Sequence, residues 1–153
     1  MRTLQLIFTA LLISFITGCA CCAAKQCAAP INFDSVSVQT IEKALRENPL
    51  DPKDNMKITM LWVGKNASEH LVQIRGKERQ HRHNHHTGNV KIWKGKGTLL
   101  LNNNTILLKE GDIIEIPQGA PHSFTNDSAT PAVAIVVFTP AFDGKDTEYL
   151  ESR

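Results

Sequence analysis

The chain has 153 residues, 42% of them hydrophobic and 21% charged, with a formal net charge of +2. Those figures fit one ordinary globular domain and exclude a disordered chain, a collagen-like repeat and a multi-domain enzyme. The near-neutral charge and an aromatic content of 6% also exclude a strongly basic, base-stacking nucleic-acid binder.

The first element is an address. Arg2 precedes an apolar run over residues 4–16, interrupted only by Gln5, Thr9 and Ser14. A membrane-spanning helix needs about 20 apolar residues, so this run is too short for a permanent span and has the size of a signal-peptide core. Ile16-Thr17-Gly18-Cys19 follows directly. That stretch resembles the lipobox of bacterial lipoproteins. The resemblance implies a signal peptide over residues 1–18, cleavage after Gly18, and a diacylglycerol on the Cys19 sulfur. Acyl chains such as palmitate, several on one residue, anchor stably where one chain binds marginally. The expected place is the cell envelope, on the extracytoplasmic side. With Ala20 rather than Asp after the cysteine, similarity to Gram-negative sorting points to the outer membrane.

Residues 19–31 read as the lipidated tether, whose free part reaches about 40 Å at most. All four cysteines, Cys19, Cys21, Cys22 and Cys27, fall here or at its start. With Cys19 acylated, three remain, enough for one disulfide and an odd thiol. No second ligand pair at zinc-finger spacing accompanies them. They read as incidental members of a small-residue tether.

Residues 32–55 form an N-terminal helical segment. Val36, Val38, Ile41, Ala44 and Leu45 give an apolar stripe that predicts a helix over 36–47. Asp34 or Ser35 is the expected cap. Asn48-Pro49 and Asp51-Pro52 end it, because a residue before proline avoids the helix and proline cannot continue one.

From residue 56 onward the pattern is short strands between turns. Strands are expected over 57–63, 70–74, 80–83, 90–94, 98–101, 105–108, 113–116, 123–125 and 133–139. Gly64, Gly76, Gly95, Pro117, Asn126-Asp127 and Pro140 punctuate them, and Asn102-Asn103-Asn104 is a hairpin turn that tolerates positive φ. Nine short strands at this spacing predict a single all-β sandwich or barrel.

Five of the six histidines sit in two places: His81-Arg82-His83-Asn84-His85-His86, and His122. Side chains two apart in a strand share a face, so His81 and His83 point the same way and Arg82 points away. A third imidazole from a neighbouring strand closes a metal site. Imidazole suits iron, zinc, copper, nickel and manganese. His83 with His85 is an alternative pair in a shifted register. His70 lies apart and reads as an ordinary strand residue.

Gly111, Pro117, Gly119, His122 and Asn126 stand at the spacing Gly, five residues, Pro, one residue, Gly, two residues, His, three residues, Asn. This resembles the second cupin motif at every defining position. His81-x-His83 and Gly95 resemble the first motif. The position at which that motif normally carries Glu falls on Gly88. The resemblance covers roughly residues 56–139 and implies a cupin-type double-stranded β-helix, or jelly-roll barrel, with one short N-terminal helix. The cupin domain is expected over 56–142 and a C-terminal tail over 143–153; that tail resembles those of small single-domain cupins and carries no assigned chemistry. The resemblance also implies a divalent transition metal (iron, zinc, manganese or nickel) on His81, His83 and His122, with His86 or His85 as candidate fourth ligand.

Without the Glu, three neutral imidazoles leave a divalent ion its full charge of +2, a state that favours an anionic ligand. Thiol dioxygenases and some zinc sites resemble this arrangement. Phe124 shares a face with His122 and is a candidate wall of the substrate pocket. Seven basic residues between Arg75 and Lys96, against Glu78 alone, read as a solvated sheet face, or as a steering surface for anions or lipid headgroups. Trp93 is expected on an outer face, at a dimer contact. Glu115 is expected to point outward, so no catalytic base is named.

Two functions are consistent with these residues. One is a membrane-tethered, metal-binding cupin acting on a small anionic molecule by isomerase, hydrolase or dioxygenase chemistry. The other is a non-catalytic cupin module that binds a small acid or sugar. The expected partners are that small molecule, a membrane through Cys19, and a second copy of the chain in a homodimer, with no nucleic acid.

Overall fold

A computed structural model describes Phe33 and residues 36–150. The expected signal peptide, the tether and Cys19 lie outside the described residues.

The helix, α1 (Val38–Glu47), begins two residues later than its apolar stripe predicts. Ser37 is the cap, with extended backbone and its Oγ accepting from the Thr40 amide at 3.2 Å; Asp34 and Ser35 lie outside the described residues. Val36, just before the cap, packs in the same apolar cluster as Ile41, the pairing that fixes how a chain enters a helix. Asn48 closes the other end by donating its backbone amide to the Ala44 carbonyl.

Ten strands follow: β1 (Met56–Val63), β2 (Ser68–Ile74), β3 (His81–Arg82), β4 (Thr87–Lys94), β5 (Lys96–Leu101), β6 (Asn104–Lys109), β7 (Ile113–Ile116), β8 (His122–Asn126), β9 (Ala132–Thr139) and β10 (Glu148–Tyr149). They form two five-stranded antiparallel sheets, ordered β1-β2-β9-β4-β7 and β10-β3-β8-β5-β6. Nine strands stand where the sequence places them, within a few residues. The tenth, β10, arises in the tail and pairs with β3, with Tyr149 opposite His81. The expected hairpin joins β5 to β6, where Leu101 faces Asn104 and Asn102 takes φ +54°.

The inward faces of the two sheets pack together. Val72, Ile74, Ile92, Leu99, Phe124 and Phe138 are prominent in this inner cluster. Gly97 lets β5 close on β8: a Cβ there would meet the Phe124 ring at 2.2 Å and the Thr125 carbonyl at 2.3 Å. A second cluster lies on the opposite face of the first sheet, beneath α1. Ile41 and Ala44 of the helix meet Leu71, Val133 and Ile135, with Trp93 packed against them. Trp93 thus lies on the outer face of the sheet, half-buried against this cluster. All seven residues of β2 are buried, since cover on both sides removes the usual alternation.

Candidate metal centre

His81 lies on β3 directly opposite His122 on β8. Directly opposed residues of an antiparallel pair are the nearest cross-strand neighbours, so this register sets two imidazoles side by side. His83 follows two residues later on the same face. The three residues are buried, and each offers a ring nitrogen within 4.8 Å of the others. Ring centroids are 4.2 Å apart for His81 and His122, 5.0 Å for His81 and His83, and 5.4 Å for His83 and His122.

Hydrogen bonds aim the rings. His81 Nδ1 bonds the Arg79 carbonyl at 2.9 Å, and His122 Nδ1 bonds the Ala120 carbonyl at 2.9 Å. His83 Nδ1 bonds the Asp146 carbonyl. A carbonyl only accepts, so each Nδ1 carries the proton and each Nε2 keeps a free lone pair. Metal-binding histidines are held in this way, with one nitrogen donating to a carbonyl or carboxylate and the other facing the ion.

The surroundings keep these rings neutral. Burial pushes His122 down to about 4, with His81 and His83 close by adding to the shift. Burial also lowers His81 and His83, against the opposing effect of their carbonyl bonds. Three uncharged nitrogen donors with free lone pairs fit a first-row transition ion.

Gly119 delivers the third histidine. It takes φ +75°, a region that glycine enters without strain, and its amide donates to the His83 carbonyl at 2.7 Å. The turn before His122 is thereby tied to the His81–His83 segment. Gly88 lies on β4, opposite Ile116 and Phe138, and carries no donor.

The neighbouring histidines have other partners. His86 Nδ1 bonds Asp146 Oδ2 at 2.5 Å and its Nε2 meets the Ala141 carbonyl at 3.3 Å, so both ring nitrogens face oxygens. The His85 side chain is exposed and its amide donates to Asp146 Oδ2 at 2.7 Å. His70, on β2, bonds Ser68 Oγ at 2.9 Å and stands edge-on to Phe138 and Phe142. Arg82 turns outward to Glu148, with nitrogen to oxygen 2.8 Å. Glu115 is exposed.

Two residues that the sequence left without a role belong to this site. Asp146 holds the segment after His83: its carboxylate accepts from the Asn84 and His85 amides and from His86. Burial raises its carboxyl, but these bonds outweigh that and pull it down to about 2. Glu78 donates its amide to the Phe124 carbonyl at 2.8 Å and accepts from the Phe124 amide on Oε2 at 3.2 Å. Its Oε1 lies 3.9 Å from His81 Nε2. Burial raises its carboxyl to about 7, against the pull of the Phe124 amide. The useful signal for Glu78 was its isolation as an acid inside a basic run. Asp146 had no sequence signal, because its partners are about sixty residues away.

The cluster faces a cavity of ≈ 1020 Å³ between the sheets. Phe124, Val136 and Phe138 contribute to its apolar wall, and Lys77, Arg79 and Lys145 also line it.

Two interleaved antiparallel sheets, a hollow interior and three histidines converging on it define a double-stranded β-helix protein with a candidate metal centre. Residues 69–138 match the family model described as a cupin domain. An uncharacterized protein of Aquifex aeolicus (strain VF5) is 34% identical over 121 residues, 79% of this chain and 98% of that protein. An uncharacterized conserved protein with a double-stranded beta-helix domain from Klebsiella pneumoniae superposes with a TM-score of 0.60 at 18% identity, covering 71% of this chain and 95% of that one. Streptomyces PAC13, solved as a variant with uridine and described as a nucleoside dehydratase, superposes with a TM-score of 0.57 at 17% identity, covering 65% and 81%. The chain thus carries a cupin domain over residues 69–138.

Proposed function

We propose that this protein is a lipid-anchored, metal-binding cupin that acts on a small anionic molecule. The observation that carries the reading is the set of three buried imidazoles, each with Nδ1 fixed on a backbone carbonyl and Nε2 left free. A bound divalent ion supplies Lewis-acid or oxygen-binding capacity, the basis of isomerase, hydrolase or dioxygenase chemistry. The chain's own residues bind and orient. His81, His83 and His122 hold the ion, and three neutral donors leave its charge uncompensated toward an incoming anion. The apolar walls, with Phe124 among them, exclude water from that end. Lys77, Arg79 and Lys145 line the cavity and favour entry of negative charge. Among cupins of this shape, PAC13 is described as an enzyme, which is compatible with catalysis here.

The membrane tether rests on Ile16-Thr17-Gly18-Cys19. Among the described residues no helix is long and apolar enough to cross a membrane. A homodimer is supported by the first strand, which exposes Ile58, Met60, Trp62 and Val63 at one edge of its sheet.

The first test is metal content by mass spectrometry on the full-length protein and on His122→Ala. The expected result is about one transition ion per chain, lost in the variant. No ion in either protein, after reconstitution with iron, zinc, manganese and nickel, overturns the metal-binding reading. A panel of uronates, thiols and small keto acids then separates turnover from binding. Ligand binding without turnover identifies a non-catalytic module. Labelled palmitate incorporated by the wild type but not by Cys19→Ser tests the tether.

A further inference from the structure

We propose that the ligand of this cavity is an amphiphilic acid, with its carboxylate at the histidine end and an unbranched apolar chain lying along the first sheet. The carboxylate end rests on the metal-binding reading above. The seat for the chain stands without it, and narrows the small anion of that reading to one chemical class.

The two walls of the cavity differ in chemistry. Every side chain that the first sheet adds to the lining is apolar, His70 excepted, and His70 is engaged by Ser68 Oγ at 2.9 Å. The charged residues of the lining, Lys77, Glu78, Arg79, Asp143 and Lys145, lie in the segments leading into β3 and β10 of the second sheet, at or beside which the three histidines stand. Strand registers set the apolar residues in rows. Val90, Val136 and His70 stand side by side, then Ile92, Ala134 and Val72, then Ala132 and Ile74. From Phe138 to Ala132 the wall runs six residues along β9, about 20 Å at the rise of a strand. It continues to the sheet edge, where Ile58 and Met60 line the cavity while 49% and 58% exposed.

This wall decides between classes of acid. A sugar acid carries hydroxyls around its whole ring, and those turned toward the first sheet would meet no partner. The backbone groups of β2, β9 and β4 cannot serve, because each of these strands is paired on both sides. A hydroxyl buried without a hydrogen bond costs free energy. Water is held no better there, since an ordered water needs two to four polar partners, and replacing such poorly held water with an apolar group gains affinity. Size points the same way. A volume of ≈ 1020 Å³ lies at the top of the range, about 300–1,000 Å³, of pockets that enclose drug-sized ligands, so an acid of a few carbons leaves most of it unfilled. A chain along Val72, Ala134 and Ile92 fills it with matching chemistry, and gains roughly fourfold in affinity for each methylene taken from water.

The test titrates butanoate, octanoate, octanol and glucuronate calorimetrically into the full-length wild type, metal-free and loaded with Zn²⁺, and into Ala134→Phe. That variant puts a ring into the middle of the apolar wall, between Val72 and Ile92, and circular dichroism checks that it is folded. In the wild type, octanoate is expected to bind at least about 30-fold more tightly than butanoate with or without the ion, and glucuronate more weakly than octanoate. Folded Ala134→Phe is expected to lose most of that chain-length gain. Equal affinity for butanoate and octanoate, or tighter binding of glucuronate, overturns the proposal in the wild type alone, whatever the variant does. A gain that persists in folded Ala134→Phe overturns the seat along the first sheet. Zn²⁺ is expected to tighten octanoate and leave octanol unchanged. No effect of Zn²⁺ on octanoate, with the chain-length gain intact, overturns the carboxylate end and the reading it rests on, and leaves the apolar seat standing.

Discussion

Strands β2 and β9 each show two faces, and the two faces have been finished differently. The outer face, with Leu71, Val133 and Ile135, is covered by Ile41 and Ala44 of α1 in an apolar cluster. The inner face, with Val72, Ile74, Val136 and Phe138, borders a cavity of ≈ 1020 Å³ that also holds the imidazoles. One pair of strands therefore carries both the anchor of the fold and the wall of the site. The difference teaches where stability and function reside: removing a methyl group from the sealed side opens a new void, while removing one from the hollow side only enlarges an existing space.

That comparison can be broken most directly by paired truncations. Leu71 is fully buried on the sealed face; Leu71→Ala is expected to cost about 4–5 kcal/mol, near the top of the range for such changes. Ile74→Ala, on the hollow face, is expected near the bottom, about 2 kcal/mol. Urea unfolding measures both, and equal costs would show that the cavity is not hollow in solution.

A second prediction uses acidity. The lower pKa values of His81, His83 and His122 in the folded chain mean that the unfolded chain binds more protons once the pH drops below about 6.5. Stability of the metal-free protein is then lost as the pH falls from about 6.5 to about 4. His122 alone accounts for a loss on the order of 3 kcal/mol. Glu78 acts in the opposite direction, losing stability as the pH rises from its ordinary range to about 7, but it is one group against three. Thermal melts across this range should show Tm rising with pH, with a shallower slope in His122→Ala.

Much of the site is legible in the sequence. His81, His83 and His122 stand out because strand periodicity and a fixed motif spacing constrain them locally. Most strands are readable for the same reason, through alternation and turn residues. Other parts carry no local signal. A two-residue strand such as β10 shows no period, so the tail looked featureless. Asp146 matters only through partners 60 to 63 positions away. Glu78 precedes β3 in an irregular approach, where alternation does not say which side chain turns inward. The helix starts later than its apolar stripe predicts because Val36 belongs to the stripe yet packs from outside the helix, leaving Ser37 to cap.

Two smaller effects sharpen the contrast further. Asp146→Ala removes the clamp on the segment after His83 and is expected to weaken Zn²⁺ binding about 10-fold, measured by chelator competition, while leaving the cluster beneath α1 intact. Ser37→Ala removes the cap and is expected to cost about 1 kcal/mol of stability, with Zn²⁺ affinity unchanged.

The distance in sequence between His83 and Asp146 has a consequence for biosynthesis. A ribosome adds Asp146 63 residues after His83, and β10 comes later still. The imidazoles thus emerge long before the carbonyl that sets the His83 tautomer. On the metal-binding reading, loading of the centre is therefore an event of the finished chain, since a nascent chain stalled before residue 146 lacks the carbonyl that orients His83.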